Sequence, residues 1–304
     1  MAELILHHFP ASPFAEKIRL VLGFKSLEWR SVEIPMVMPK PMLTALTGGY
    51  RKTPVLQIGC DIYCDTQCIA LELERRFPLP TLFPDHSEGL ALAFSQWSDA
   101  TFFQPGAGLS MGTNQALPED ILKDRSAFFN FLDFSTLSEQ IPHLYSQFRA
   151  QLQLVETMLN DGRSYVLGEQ ASWVDILAYF PLWMARGNIA NTEELVSGLD
   201  ALGKWEARMT QIGHGSERAL PAEEALNIAN NSVSVVSPER VDDAWPQLDL
   251  HSEVTVTPQD YGAVPVAGKL ERLTHSDIAV RRRDDRAGEV VVHFPRAGYR
   301  VEAV

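Results

Sequence analysis

The hydrophobic period of the chain changes at Phe77-Pro78-Leu79-Pro80. Upstream, apolar residues come in short runs and alternations broken by single helical stripes; downstream they recur every three or four positions. A continuing helix does not carry two prolines in four residues, and the two periods bury their apolar faces differently. The chain must therefore build at least two differently packed bodies, and 304 residues supply material for two or three.

The upstream body reads as α/β. Leu4 to Phe9 is a short strand that ends in the turn Pro10-Ala11-Ser12-Pro13. Phe14, Ile18, Val21 and Leu22 then mark one face of a helix, with Gly23 placed to end it. Leu27 to Ile34 alternates as a half-buried strand, and residues 35–50 read as irregular with one short helix. Pro54 to Ile58 and Ile62 to Cys64 form a hairpin around Gly59-Cys60-Asp61, followed by a helix carrying Ile69, Ala70, Leu73 and Phe77. Residues 1–80 are thus a β-α-β, then β-β-α domain.

Residues 87–213 read as an all-helical domain. Leu144, Phe148, Leu152, Val155 and Leu159 give its clearest stripe, while the Gly-, Gln- and Asn-containing stretch 103–117 reads as a loop. Residues 222–304 open with one helix over 222–229. Five short strands follow at Val254–Thr257, Val264–Leu273, Ile278–Val280, Val290–Phe294 and Tyr299–Val301, as in a small β-barrel-like domain.

The net charge is −13, which repels nucleic acid and anionic membrane surfaces. In Arg281-Arg282-Arg283-Asp284-Asp285-Arg286 the interleaved aspartates favour a charged hairpin turn over a nucleic-acid patch. No run approaches the roughly 20 apolar residues of a membrane span, and the first residues lack a secretory pattern, so the expected location is cytoplasmic. Cys60, Cys64 and Cys68 lack a zinc-type pair spacing and read as buried thiols in a reducing compartment; no metal is expected.

Four local patterns narrow the function. Ser12-Pro13-Phe14-Ala15-Glu16-Lys17-Ile18-Arg19 starts the first helix, and Lys52-Thr53-Pro54-Val55-Leu56 leads into the hairpin. Asp65-Thr66 opens the next helix, and Ser172-Trp173-Val174-Asp175 is a capping box at the head of a helix in the second domain. In this order and at these positions the chain resembles the soluble glutathione transferase family over residues 1 to about 210.

The resemblance implies a thioredoxin-like N-terminal domain, a helical-bundle second domain, glutathione as cosubstrate, a small hydrophobic electrophile as its acceptor and a homodimer. It assigns the thiol to Ser12, and makes Pro54 a cis proline whose neighbour Thr53 pairs with the cysteinyl unit. The γ-glutamyl end falls to Asp65 and Thr66. Lys40, Arg51 and Lys52 are candidates for the glycyl carboxylate. Ser172 and Asp175 are structural.

A thiol titrates above neutrality and reacts as thiolate. Lowering its pKa by about two units takes roughly 2.7 kcal/mol. A hydroxyl bond to charged sulfur supplies roughly 1.5–3 kcal/mol, and a helix N-terminus adds about 0.3–1 kcal/mol. Ser12 is therefore sufficient as an activator, although a serine before a proline is also a simple helix cap. Conjugation is the leading activity, with isomerase, dehalogenase and etherase chemistry as variants. A non-catalytic glutathione-transferase-like binding or assembly module is the alternative. Trp97, Phe102, Phe103, Tyr179 and Trp183 fit either an electrophile pocket or plain core.

Overall fold

In the computed structural model, which describes residues 2–114, 117–241 and 247–304, the upstream segment forms seven elements. They are β1 (Ile5–His8), α1 (Pro13–Phe24), β2 (Glu28–Glu33), α2 (Pro41–Thr47), β3 (Val55–Ile58), β4 (Asp61–Cys64) and α3 (Thr66–Arg76). β1 and β2 are parallel, and a parallel pair needs the crossover that α1 provides. β3 runs antiparallel to both β1 and β4. The strand order β2-β1-β3-β4 is thioredoxin-like, as expected. α2 is the one short helix of residues 35–50, and Gly48 ends it in the left-handed region at φ 77°.

The middle of the chain is helical. It holds α4 (Glu88–Gln96), a wide π-type turn over Trp97–Phe102, α5 (Phe103–Thr113) and α6 (Glu119–Phe128). After these come α7 (Leu137–Leu159), α8 (Trp173–Asn188), α9 (Thr192–Val196) and α10 (Asp200–Thr210). The stripe read from Leu144 to Leu159 is the buried face of α7.

Two sequence expectations change here. Gly23 does not end α1, which runs on to Phe24. A Cβ at Gly23 would stand 2.0 Å from the Gly213 carbonyl oxygen, so this glycine permits close backbone approach. The loop expected over 103–117 is largely the helix α5; residues 115–116 lie outside the described residues. The physical reason lies in packing against α7. A Cβ at Gly106 would meet Phe148 at 2.8 Å, at Gly108 Leu144 at 2.7 Å, and at Gly112 Ile141 at 2.4 Å. These glycines mark close helix–helix contact, not chain reversal.

The C-terminal region supplies β5 (Ser216–Ala219), α11 (Ala222–Asn230), the two-residue β6 (Glu239–Arg240), β7 (Glu253–Pro258) and β8 (Val266–Leu273). β9 (Asp277–Asp284), β10 (Gly288–Pro295) and β11 (Tyr299–Ala303) complete it. The run β11-β7-β8-β9-β10 is antiparallel throughout. It does not stand apart: β10 pairs in parallel with β4, Val292 opposite Ile62, and β5 pairs in parallel with β2. The whole reads β11-β7-β8-β9-β10-β4-β3-β1-β2-β5, with β6 against β8.

By density of internal contacts the chain has two compact units, one of residues 1–10, 28–72 and 216–304, the other of 11–27 and 73–215. Composition cuts the chain by element type near 80 and 213. Contact density groups both chain ends because their strands share one sheet and one core, in which Val55 and Ile62 are buried with Val266, Val292 and Phe294.

Candidate functional site

In the helical unit, Ser12 is the N-cap of α1, with extended backbone (φ −76°, ψ 118°) and Pro13 at the first helical position. Its Oγ accepts the Ala15 N–H at 3.1 Å, satisfying one of the N–H groups a helix start leaves open. Among the described residues the hydroxyl proton has no acceptor. Ser12 is 3% exposed. Lower on the same helix, Lys17 is fully buried, with its Nζ 2.6 Å from Asp99 and 4.5 Å and 4.4 Å from the centres of the Phe14 and Phe180 rings. Phe102, Phe103 and Tyr179 are core residues of this unit, and Trp183 carries the Arg19 guanidinium at 5.5 Å.

Ser172 and Asp175 meet at the head of α8. Asp175 Oδ2 accepts the Ser172 N–H at 3.0 Å and its hydroxyl at 2.7 Å. Oδ1 accepts the Val166 N–H at 2.8 Å and the Trp205 indole at 2.9 Å. Burial pushes this carboxyl above the usual range, and the four donors oppose that push.

In the sheet unit, the Thr53-Pro54 peptide is cis and leads into β3. Lys40, buried at the start of α2, donates to Thr53 Oγ1 at 3.3 Å and stands 5.5 Å over the Phe9 ring. Arg51 is half-buried in the segment between α2 and β3. Asp65 adopts a left-handed backbone, φ 80°, immediately before α3. Its Oδ1 accepts the Gln67 N–H at 2.9 Å, and Thr66 is buried as the first residue of the helix.

Two features of this unit are invisible in the local sequence. Tyr299, from β11, donates its hydroxyl to Asp65 Oδ2 at 3.0 Å and lies 3.2 Å from the Tyr50 hydroxyl. Burial, reinforced by the Asp65 charge, holds both phenols well above their usual range, so both keep their protons. With its one proton committed to Asp65, Tyr299 receives that of Tyr50. Secondly, Lys52 is ion-paired with Asp260 and lies 4.7 Å over the Tyr261 ring. Sequence separations of 234 and 208 residues leave no periodic signal for either contact.

His7, His8 and the three cysteines are core. His8 bonds Ser31 Oγ at 2.8 Å and packs on Trp29, while His7 bonds Gln57 Oε1 at 2.8 Å. Burial pushes the Cys60 thiol up to about 11 and those of Cys64 and Cys68 well above the usual range, which makes them poor nucleophiles. Among the described residues no group of three or more His, Cys, Asp or Glu is arranged to hold a metal ion, and no helix is long and apolar enough to cross a membrane.

Residues 6–81 match the family model described as glutathione S-transferase, N-terminal domain. A crystal structure of a GST-like protein from Pseudomonas syringae is 36% identical with TM-score 0.81, covering 100% of each chain. A glutathione S-transferase from Rhodospirillum rubrum F11 aligns over 78% of this chain and 96% of its own, at 20% identity and TM-score 0.53. The theta class glutathione S-transferase from Xanthomonas axonopodis pv. citri, with glutathione bound, aligns over 70% of this chain and 98% of its own, at 19% identity and TM-score 0.54. These last two share the fold. No curated protein sequence matches the chain.

Proposed function

Because the chain belongs to the glutathione S-transferase family, we propose that it is a glutathione transferase in which Ser12 stabilises the thiolate for transfer to a small hydrophobic electrophile. The observation that carries this reading is the state of the Ser12 hydroxyl. Its oxygen is polarised by the Ala15 N–H, and its proton has no acceptor among the described residues. Capping and activation are therefore compatible: the hydroxyl oxygen accepts from the helix while its O–H donates to sulfur. The helix start adds positive potential in the same place. In this reading Thr53 pairs through its backbone with the cysteinyl unit beside Pro54. Asp65 and Thr66 hold the γ-glutamyl group at the start of α3, and Lys40 with Arg51 serves the glycyl carboxylate. The bound glutathione of the Xanthomonas relative supports the choice of cosubstrate. The active species is a cytoplasmic homodimer.

Retention on immobilised glutathione and conjugation of a generic aromatic electrophile test the reading. Wild type is retained and active. Ser12→Ala is retained but loses about 10- to 100-fold in conjugation rate, the worth of a hydrogen bond to a charged atom, while Ser12→Thr keeps most of it. The second reading, a binding module without catalysis, is favoured by how little of Ser12 is exposed. Retention without conjugation in the wild type selects it, and absence of retention sinks both.

A further inference from the structure

We infer that Tyr299, on the last strand of the C-terminal sheet, is a positioning residue for glutathione, acting through Asp65. The inference rests on the assignment of Asp65 and Thr66 to the γ-glutamyl group made above. Asp65 has a left-handed backbone, φ 80°, which a non-glycine residue adopts at a cost and Asp adopts where its short side chain is bonded. Two of its side-chain bonds bear on the carboxylate. One is local, from the Gln67 N–H to Oδ1, and stays within the turn. The other is remote, from the Tyr299 hydroxyl to Oδ2, and it fixes the carboxylate against a different strand.

The remote partner is itself rigid. Tyr299 is 4% exposed, its ring centre lies 5.4 Å from that of Phe294, and its oxygen is bonded to Tyr50. β11 is tied along its length to β7, Val301 opposite Val256. The C-terminal extension thus reaches the residue that precedes the first turn of α3, where in the reading proposed above Thr66 and the helix start hold the γ-glutamyl carboxylate. It also engages Lys52, next to Thr53, through Asp260. An appendage concerned only with stability has no need to bond the turn carboxylate. A scaffold that sets the angle of a ligand-holding helix start does.

The test compares Tyr299→Phe with Val301→Ala in the full chain. The first removes only the hydroxyl. The second removes packing from the same strand and leaves the hydroxyl in place. Binding of glutathione is read by calorimetry, and KM and kcat by conjugation. Tyr299→Phe weakens glutathione binding and raises its KM by about tenfold, the lower end for a hydrogen bond to a charged group, with kcat at saturating glutathione unchanged. Val301→Ala keeps the affinity within about twofold, since it touches neither Asp65 nor the turn. Equal loss in both variants, or none in Tyr299→Phe while wild type binds, overturns the positioning role and leaves the glutathione reading standing. A Tyr299→Phe chain without a cooperative melting transition overturns it as well. Wild type that fails to bind glutathione removes the parent reading and this inference with it.

Discussion

At the scale of single residues, the buried polar groups of the sheet explain most of what local pattern leaves open. Gln57 donates to the Gly59 carbonyl at 2.9 Å and the Ala225 carbonyl at 2.8 Å, so its Oε1 must accept from His7 Nε2. That fixes the His7 tautomer and leaves Nδ1 deprotonated, buried and without a partner among the described residues. Burial lowers the His7 pKa from 6.5 to about 4, against the opposing hydrogen bond to Gln57. The unfolded chain takes up this proton below about 6.5 and the folded chain only near 4, so the unfolded state binds more protons in between. Stability from this group is fully present above pH 6.5 and is lost as pH falls toward 4, by about 3 kcal/mol. Urea midpoints of wild type and His7→Gln, measured from pH 7 to 4.5, should converge as the pH drops; parallel curves would rule this out. From sequence, two adjacent histidines on a strand leave open a site or a core role, because alternation tells direction and not depth.

At the scale of elements, most boundaries follow from alternation and the helical stripe, and failures occur where one residue type has two physical uses. Glycine is the example. In α5 it lets the helix press against α7, with the Phe148 ring 2.8 Å from where a Gly106 Cβ would sit. In α10, Gly203 faces open space with nothing within 4 Å of its Cβ position. The same substitution should therefore act in opposite directions. Gly203→Ala stabilises by about 1 kcal/mol through helix propensity. Gly106→Ala destabilises by about 1–2 kcal/mol, because a rigid ring must move. Thermal melting of the two variants decides it, and a rise in both would mean that α5 packs more loosely than described. The head of α8 offers a harder break. Asp175→Ala strands the donors of Ser172, Val166 and Trp205 in a dry interior. Each stranded group costs about 1–3 kcal/mol, so a loss of at least about 3 kcal/mol in chemical denaturation is expected.

At the scale of the whole molecule, the five C-terminal strands are legible as short apolar, β-branched runs separated by turn residues, but their destination is not, since a strand's own sequence does not name its partner. The destination is the edge of the N-terminal sheet. β10 covers β4, with the Val291 N–H bonded to the Cys60 carbonyl at 3.0 Å, and β5 covers β2 at the opposite edge. α2 is gripped from the same side, Arg282 donating to the Ala45 carbonyl at 2.5 Å and Arg286 to the Pro41 carbonyl at 2.7 Å. The arginine-rich stretch is thus an anchor as well as the end of a hairpin. A chain ending at Gly215 would lose β5 and β10 together and bare two strand edges with unpaired backbone groups. It would also uncover the β3–β4 side of a core now closed by Val266, Val292 and Phe294. Such a chain should be recovered mainly as aggregate and, where soluble, should melt without a cooperative transition. Size exclusion and calorimetry measure this directly. A soluble, cooperatively melting protein of residues 1–215 would mean that the N-terminal sheet closes its own core, and that the C-terminal strands are added to a finished fold.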